Sequence, residues 1–141
     1  MKEKKLPSRR SGCPINVLLE MVGDTWSLLI VRDMMFWGRA TYNEFLNAGE
    51  GIATNILSDR LQRLECVGIV EKRRNPSDAR KFIYRLTAKG FDLAPMLVEM
   101  ILWSAQHEET AAPPEIIELM KADRERFIAG LRENWAKSEP L

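Results

Sequence analysis

Cysteine and histidine are scarce in this sequence, and their scarcity excludes two classes of protein. The 141 residues include two cysteines, Cys13 and Cys66, and one histidine, His107. Two cysteines this far apart cannot hold together a small disulfide-rich scaffold of the secreted kind. One histidine and two cysteines also leave a Cys/His zinc site short of ligands, so we expect no metal site.

Long hydrophobic runs are also missing. A membrane-spanning helix needs about 20 apolar residues, and the longest candidate, Leu28 to Trp37, is interrupted by Arg32 and Asp33. The basic start from Lys2 to Arg10 is followed neither by an apolar stretch of signal-peptide length nor by a small-residue cleavage site. We therefore expect a cytoplasmic protein with no membrane partner.

The usual motifs of enzymes are absent from the sequence. It contains no Gly-rich phosphate loop, no Ser/His/Asp set and no cluster of metal ligands. The carboxylates of Glu115, Glu118, Asp123 and Glu125 are candidates for an acid/base pair, but acids at this spacing on an amphipathic helix normally form its solvated face. We expect a protein that is not an enzyme and that needs no cofactor.

Charge is present in quantity and is unevenly distributed around a net value of +1. Residues 1–10 carry five Lys/Arg against one Asp/Glu, and residues 60–90 carry nine against three. Residues 11–59 carry two against six, and residues 91–141 carry five against ten. Because the field near a surface depends on local charge, the basic segments can present a positive face to a polyanion. On charge alone, solvated faces without a partner explain the pattern equally well.

The chain is 45% hydrophobic, which is typical of a globular domain, and its first third predicts three helices. Pro14 suits a first helical position, and Gly23 ends the helix that it begins. The next helix, from about Thr25 to Trp37, is apolar on nearly every side and should be the central buried helix. Thr41-Tyr42-Asn43-Glu44 is a capping box that starts a short third helix.

A fourth helix is predicted to begin near Ala53 or Thr54 and to end at Gly68. Its apolar stripe consists of Leu57, Leu61 and Leu64, and Gly68 has the expected position of a left-handed terminator. The pattern then becomes that of strands at Ile69–Arg74 and Phe82–Leu86. The polar stretch Asn75–Lys81 between them predicts a turn, and hence a β-hairpin with a basic tip.

Two further helices complete the prediction. Thr87 caps a helix that reaches about His107 and is apolar around most of its circumference, so it needs burial on more than one side. Pro113-Pro114 marks a boundary before a last amphipathic helix from about Glu115 to Lys137. We expect a homodimer, because a monomer would expose Met96, Met100 and Trp103 as an apolar patch.

Three short helices with a tight turn before the last one, followed at once by a two-stranded hairpin with a basic tip, have the order of a winged helix-turn-helix, a mainly α fold with a small β-hairpin. In that fold one helix enters the major groove and the hairpin reaches phosphates or the neighbouring minor groove. A polar outer face on one helix is common, but the hairpin cations favour DNA. The candidate DNA contacts are Arg39, Thr41, Thr54, Asn55, Ser58, Asp59, Arg60, Gln62, Arg63, Lys72, Arg73, Arg74, Arg80 and Lys81.

Several segments in this order resemble the HxlR-type winged-helix transcriptional regulators over roughly residues 13–107: Cys13-Pro14, Gly23 to Asp33, Gly51 to Leu61, Leu64 with Gly68-Ile69-Val70, and Tyr84 to Gly90. The resemblance implies a homodimer paired through its terminal helices. It would act as repressor or activator on double-stranded DNA carrying an inverted repeat. The expected domains are a basic tail (1–10), a DNA-binding domain that includes a dimerisation helix (11–107) and a C-terminal helix (108–141).

The sequence departs from the family pattern in two places. Ala53 stands where a serine often caps the recognition helix, which leaves the start of that helix open. The helix after Pro114 is longer than the family's minimal ending, and it would either enlarge the dimer interface or cover a pocket for a small-molecule effector.

Cys13 is the candidate redox residue. It lies just ahead of a helix N-terminus and close to Arg9 and Arg10 in sequence, a setting that favours the thiolate. Some HxlR-type regulators look like sensors that detect oxidants or electrophiles with a cysteine matching this one. The resemblance therefore implies a redox role for Cys13. The alternative is a small buried residue that packs the first helix.

Two other functions stay open at this point. A MarR-type winged-helix regulator would need a longer N-terminal dimerisation helix than the chain before Gly23 supplies. A winged helix that binds protein instead of DNA would leave the hairpin arginines without phosphates to neutralise.

Overall fold

A computed structural model describes residues 8–137 of the chain. Most of the predicted basic tail, residues 1–7, and the last four residues lie outside the described part. The chain forms two compact units, one reaching Gly90 and the other starting at Phe91. This division comes earlier than the boundary at residue 107 that we expected, because the long helix before that boundary packs with the C-terminal helices α7 (Pro114–Ala122) and α8 (Arg124–Lys137).

From residue 8 onward, the first unit contains four helices followed by a two-stranded antiparallel hairpin. The helices are α1 (Pro14–Val22), α2 (Ser27–Trp37), α3 (Tyr42–Leu46) and α4 (Thr54–Cys66), and the strands are β1 (Val70–Asn75) and β2 (Asp78–Leu86). A one-turn helix, α5 (Ala88–Phe91), follows β2, and the second unit continues with α6 (Ala94–His107). This order confirms the predicted winged helix-turn-helix.

The core of the first unit is built around α4, which packs against α1, α2 and α3. The predicted stripe of Leu57, Leu61 and Leu64 is buried, with at most 2% of any of these residues exposed. Burying a leucine side chain contributes about 1.5–3 kcal/mol, so this stripe fixes which side of α4 faces inward. The polar side of α4 is therefore turned to solvent.

The start and end signals of the central helices are largely confirmed. Thr41 and Glu44 form the capping box of α3, each accepting a hydrogen bond from the other's backbone N–H. Gly68 has a φ of 79°, and the N–H of Ile69 donates to the carbonyl of Leu64 at 2.9 Å, so α4 ends in the predicted left-handed motif. Helix α2 begins at Ser27, two residues later than predicted, and Asp24 accepts hydrogen bonds from the N–H groups of Trp26 and Ser27 in the turn that leads into it.

The hairpin differs from the prediction at its tip. Strand β2 begins at Asp78, so Pro76 and Ser77 alone form the loop, and Arg80 and Lys81 lie on the strand. The prediction of a seven-residue basic turn is wrong because Asn75 pairs with Asp78 after a register shift next to Arg74. The residues of β2 between Asp78 and Phe82 therefore form an irregularity, as in a β-bulge, which leaves two cations close to the tip.

Both predicted C-terminal helices are broken in the structure. The helix expected from Thr87 to His107 is interrupted between α5 and α6, where Pro95 lacks the N–H that would bond to Phe91 and instead occupies the first turn of a new helix. The helix expected from Glu115 to Lys137 is interrupted at Asp123, whose carboxylate accepts a hydrogen bond from the N–H of Arg126 at 3.0 Å. Asp123 acts as the cap of α8.

Within residues 8–137, no single helix is long and apolar enough to cross a membrane. The pair α1 and α2 reaches the necessary length and composition only when taken together, and the two helices meet at an angle of 83°.

Candidate nucleic-acid interface

The outer face of α4 carries the polar residues predicted to read DNA. Because Leu57, Leu61 and Leu64 point inward, the side chains between them point outward. Six of the seven candidates on α4 are exposed: Thr54, Asn55, Ser58, Asp59, Gln62 and Arg63. These side chains offer hydroxyl, amide, carboxylate and guanidinium groups, which can donate to or accept from base edges and phosphates.

The start of α4 is fixed by apolar contact and by a neighbouring tyrosine, without a side-chain cap. Ala53 is the N-cap residue and makes no side-chain hydrogen bond, while Ile52 and Leu57 are both buried on either side of it. This spacing is that of a hydrophobic staple. The Tyr42 hydroxyl donates to the carbonyl of Thr54 at 3.0 Å, so α3 also holds the first turn of α4.

One face of the hairpin combines cations with aromatic rings. Lys72 and Arg74 lie two residues apart on β1, and their cross-strand partners are Tyr84 and Phe82. The Lys72 ammonium lies 4.4 Å from the centre of the Phe82 ring, and the Arg74 guanidinium carbon lies 5.2 Å from it. These cation–π contacts hold the charged groups over the sheet while leaving both residues exposed. Arg73, on the opposite side of β1, is half-buried.

A groove of about 240 Å³ joins this hairpin face to α4. Ser58, Gln62 and Glu65 line it from the helix, and Lys72 and Tyr84 line it from the hairpin. The remaining lining residues are Tyr42 and Leu61. Burial and the nearby charge of Glu65 raise the pKa of Tyr84 above its ordinary value. The structure therefore brings Ser58 and Gln62 of the helix next to Lys72 of the hairpin. The sequence shows only that these residues follow one another along the chain.

The cations nearest the hairpin tip, Arg80 and Lys81, are both exposed. The Arg80 side chain is 91% exposed, and its guanidinium pairs with Asp78, the Nε–Oδ1 distance being 3.2 Å. Hydrogen bonds from Arg80 hold the pKa of Asp78 below its ordinary value. Lys81 is also exposed. Both side chains can reach a surface beyond the hairpin without first being uncovered.

Arg39 is held inside the first unit by an acid that sequence reasoning missed. Asp33 is 3% exposed, and one of its oxygens accepts a hydrogen bond from Arg39 Nη1 at 2.8 Å and from Arg32 Nη2 at 2.9 Å. The Arg39 guanidinium carbon also lies 4.6 Å from the centre of the Trp37 ring. In the sequence, the signal is an acidic residue within an apolar helix. Such an acid requires a partner when it is buried, but the sequence does not identify that partner.

Arg60 likewise points to an acid and away from the exposed face. Its Nε lies 2.8 Å from Asp24 Oδ2, and its guanidinium also contacts the Asp59 carboxylate. Burial opposes ionisation of Asp24, but hydrogen bonds from Ser27, Arg60 and the backbone of Trp26 outweigh it and lower the pKa of Asp24 to about 2. Asp24 is thus charged at neutral pH. Its role as a helix cap could have been read from its place before α2, but its pairing with Arg60 could not.

Cys13 is exposed, so the alternative that it packs the first helix is wrong. It is the N-cap residue of α1, and its carbonyl accepts the N–H of Val17 at 2.9 Å. The guanidinium of nearby Arg10 donates to the Asn16 side chain at 3.0 Å. Cys66, at the end of α4, is exposed as well. Within residues 8–137, no group of three or more His, Cys, Asp or Glu side chains is placed to hold a metal ion.

Comparisons with known proteins agree with this geometry. The model of the HxlR-like helix-turn-helix family matches residues 21–112. An uncharacterized HTH-type transcriptional regulator of Synechocystis sp. is 33% identical over 88 residues, which cover 62% of this chain and 64% of that protein. The chain thus spans somewhat less than two thirds of that relative.

Two solved structures are similar in sequence and fold. The crystal structure of PA1607 superposes with a TM-score of 0.66 at 35% identity, over 74% of this chain and 72% of that chain. The oxidized form of the redox regulator HypR superposes with a TM-score of 0.61 at 27% identity, over 70% of this chain and the whole of that chain.

Proposed function

The chain belongs to the HxlR-like helix-turn-helix family of transcriptional regulators, and from this premise we propose that it binds DNA sequence-specifically as a homodimer. Such a regulator acts where the DNA is, so we place it in the cytoplasm. It is expected to act through binding alone, without catalysis.

The observation that carries the proposal is the groove shared by α4 and the hairpin. Polar groups able to read bases, Ser58 and Gln62, line one side of it, and the Lys72 ammonium lines the other. A major-groove helix flanked by cations is the arrangement that combines base contacts with phosphate contacts. A winged helix that binds protein would leave Lys72 and the other exposed hairpin cations without phosphates to neutralise.

The candidates divide between reading bases and positioning the protein. Asn55, Ser58 and Gln62 are neutral and exposed on α4, and we assign them to base edges. The cations exposed on the hairpin, and Arg63 on α4, are assigned to phosphates: Lys72, Arg74, Arg80 and Lys81. Arg39 is engaged by Asp33, and Thr41 by Glu44, so they hold the elements that precede α4.

Exposed apolar side chains support the homodimer. On α6, Met100 is 46% and Trp103 is 64% exposed, and on α1, Ile15 is 71% and Leu19 is 56% exposed. Large apolar side chains left in solvent on a helix are typical of a surface that a partner covers. With two-fold symmetry, the two copies of α4 would meet half-sites about 34 Å apart or a multiple of that distance.

An oxidant or electrophile is the signal that we propose for this regulator, acting at Cys13. The support is the exposure of Cys13 at the N-terminus of α1 and the similarity to HypR, whose structure is that of a redox regulator. Oxidation of this sulfur would change the N-terminal turn of α1, which carries exposed Ile15. A shift of the dimer contact would then alter the spacing of the two copies of α4.

Titration against DNA at two salt concentrations tests the proposal. A fluorescent duplex carrying the promoter next to this protein's own gene, and a scrambled duplex, are titrated with the full chain at about 50 and 200 mM salt. We expect tight binding to the promoter duplex, weaker binding to the scrambled one, and a strong loss of affinity at the higher salt. Equal and salt-independent binding to both duplexes would overturn the proposal. Sedimentation showing only a 16.2 kDa species would overturn the homodimer.

A further inference from the structure

We infer that Arg60 is a positioning residue, which orients the recognition helix α4 through its ion pair with Asp24 and makes no contact with DNA. This inference rests on the proposed function, and it gives Arg60 a different role from the one that the sequence alone suggested. Arg60 has the same charge as Arg63 and lies three residues before it on α4, where Arg63 is exposed. What distinguishes the two arginines is where their guanidinium groups lie.

The Asp24–Arg60 contact joins two helices that are distant in sequence. Arg60 Nε donates to Asp24 Oδ2 at 2.8 Å, and only 20% of either side chain is exposed. The same Asp24 oxygen accepts the N–H groups of Trp26 at 3.0 Å and Ser27 at 3.1 Å. The cap of α2 is thus also the acceptor for Arg60, so the start of α2 and the middle of α4 share one carboxylate.

Directional contacts are needed on α4 because its apolar contacts are not directional. The buried leucines set which side of the helix faces the core, but non-directional contact does not by itself fix the exact rotation of the helix or its position along its axis. Side-chain hydrogen bonds to neighbouring segments hold it along its length: Tyr42 donates to the carbonyl of Thr54, Arg60 donates to Asp24, and Lys89 donates to the carbonyl of Val67 at 2.6 Å. The Ser58 hydroxyl also donates to the Tyr42 hydroxyl at 3.5 Å. Asp24 is the partner of the middle of the helix, close to the exposed Ser58 and Gln62.

The charges around Arg60 argue against a phosphate contact. Its guanidinium lies between the carboxylates of Asp24 and Asp59, so it presents no net positive charge to an incoming phosphate. Turning outward would also take a hydrogen bond from Asp24, whose pKa of about 2 depends partly on that bond. Arg63 can reach phosphate without either cost.

Four variants of the full chain separate a positioning residue from a phosphate contact. Arg60→Gln removes the cation, and Asp24→Asn removes its partner while keeping an oxygen that can cap α2. Glu109→Gln is the control, since it removes an exposed acid outside the first unit and leaves the Asp24–Arg60 contact intact. Arg63→Gln is the control for a cation expected to contact phosphate.

Affinity is measured on a duplex selected from a random-sequence pool by the unmodified protein, at several salt concentrations. A positioning role predicts that Arg60→Gln and Asp24→Asn each weaken binding about tenfold, or about 1.4 kcal/mol, without changing the salt slope. The double variant should be no weaker than either single variant. Arg63→Gln should lower the slope by about 0.9, and Glu109→Gln should not weaken binding.

The sign of the Asp24→Asn effect decides between the two roles. If Arg60 contacts phosphate, releasing it from Asp24 should strengthen binding, and Arg60→Gln should lower the salt slope; either result would overturn the inference. Arg60→Lys adds a further test, because lysine would restore a phosphate contact but cannot reproduce the geometry of the guanidinium at Asp24. We expect Arg60→Lys to bind as weakly as Arg60→Gln.

Amide hydrogen exchange of the free protein tests the inference without DNA. Arg60→Gln and Asp24→Asn should both speed exchange in α4, while Glu109→Gln should not. Unchanged exchange in both variants would overturn the positioning role. If the unmodified protein selects no duplex at all, the proposed function fails, and the exchange result still decides whether Asp24 and Arg60 hold α4.

Discussion

Removing the two cations near the hairpin tip should change the salt dependence of DNA binding by a predictable amount. Arg80 and Lys81 are exposed on β2, and Arg80 is 91% exposed with Asp78 as its partner. Each cation that neutralises a phosphate adds about 0.9 to the slope of log affinity against log salt. The double variant Arg80→Gln/Lys81→Gln should therefore have a slope smaller by about 1.8. Between about 50 and 200 mM salt it should lose about twelvefold less affinity than the parent.

Fluorescence anisotropy with cognate and scrambled duplexes measures this change. Because phosphates are the same in every sequence, the double variant should weaken both duplexes by the same factor and leave their ratio unchanged. Lys121→Gln, which removes an exposed cation from α7, serves as the control and should keep the parent slope. An unchanged slope in the double variant, or a loss confined to the cognate duplex, would refute the assignment of the hairpin to phosphate.

Three other predictions concern the recognition helix, Asp24 and Cys13. Replacing Asn55 or Ser58 by alanine should cost about 1–3 kcal/mol on the cognate duplex and little on a scrambled one; an equal loss on both, measured by the same anisotropy assay, would contradict base reading. The pKa of Asp24 falls from 3.8 to about 2 on folding, so its contribution to stability is present above pH 4 and is lost as the pH falls through 2. Urea unfolding of the parent and of Asp24→Asn should therefore differ by about 1–2 kcal/mol more at pH 5 than at pH 2, whereas a constant difference would contradict the pairing. Cys13 should react with an electrophile faster than Cys66, and Cys13→Ser should abolish any effect of oxidant on DNA affinity; a Cys13→Ser protein that still responds would place the signal elsewhere.

Local signals in the sequence predicted much of the fold. The capping box of Thr41 and Glu44, the terminator Gly68 and the leucine stripe of α4 are each defined by residues a few positions apart, so their physics is contained in a short segment. The helix breaks at Pro95 and Asp123 had local signals too. The apolar spacing continues across both breaks, however, and by itself it predicts unbroken helices.

Contacts between distant residues could not be predicted. From the sequence, Arg39, Arg60 and Arg63 are equivalent candidates for DNA contact. In the structure they differ in whether an acidic residue holds the guanidinium. Arg39 meets buried Asp33, Arg60 meets Asp24, and Arg63 is exposed. The register shift in the hairpin is of the same kind, since it depends on how β1 and β2 pair and not on the composition of either strand.

Selection of duplexes from a random-sequence pool by the unmodified protein tests the central claim most directly. Two copies of α4 in a two-fold dimer should enrich an inverted repeat whose half-sites have centres about 10–10.5 base pairs apart, or a multiple of that spacing. At physiological salt the enriched duplex should bind at least about 10³-fold more tightly than a scrambled duplex. A pool that retains no recurring sequence after several rounds, and binds no better than the scrambled duplex, would contradict the assignment of α4 and the hairpin to DNA recognition.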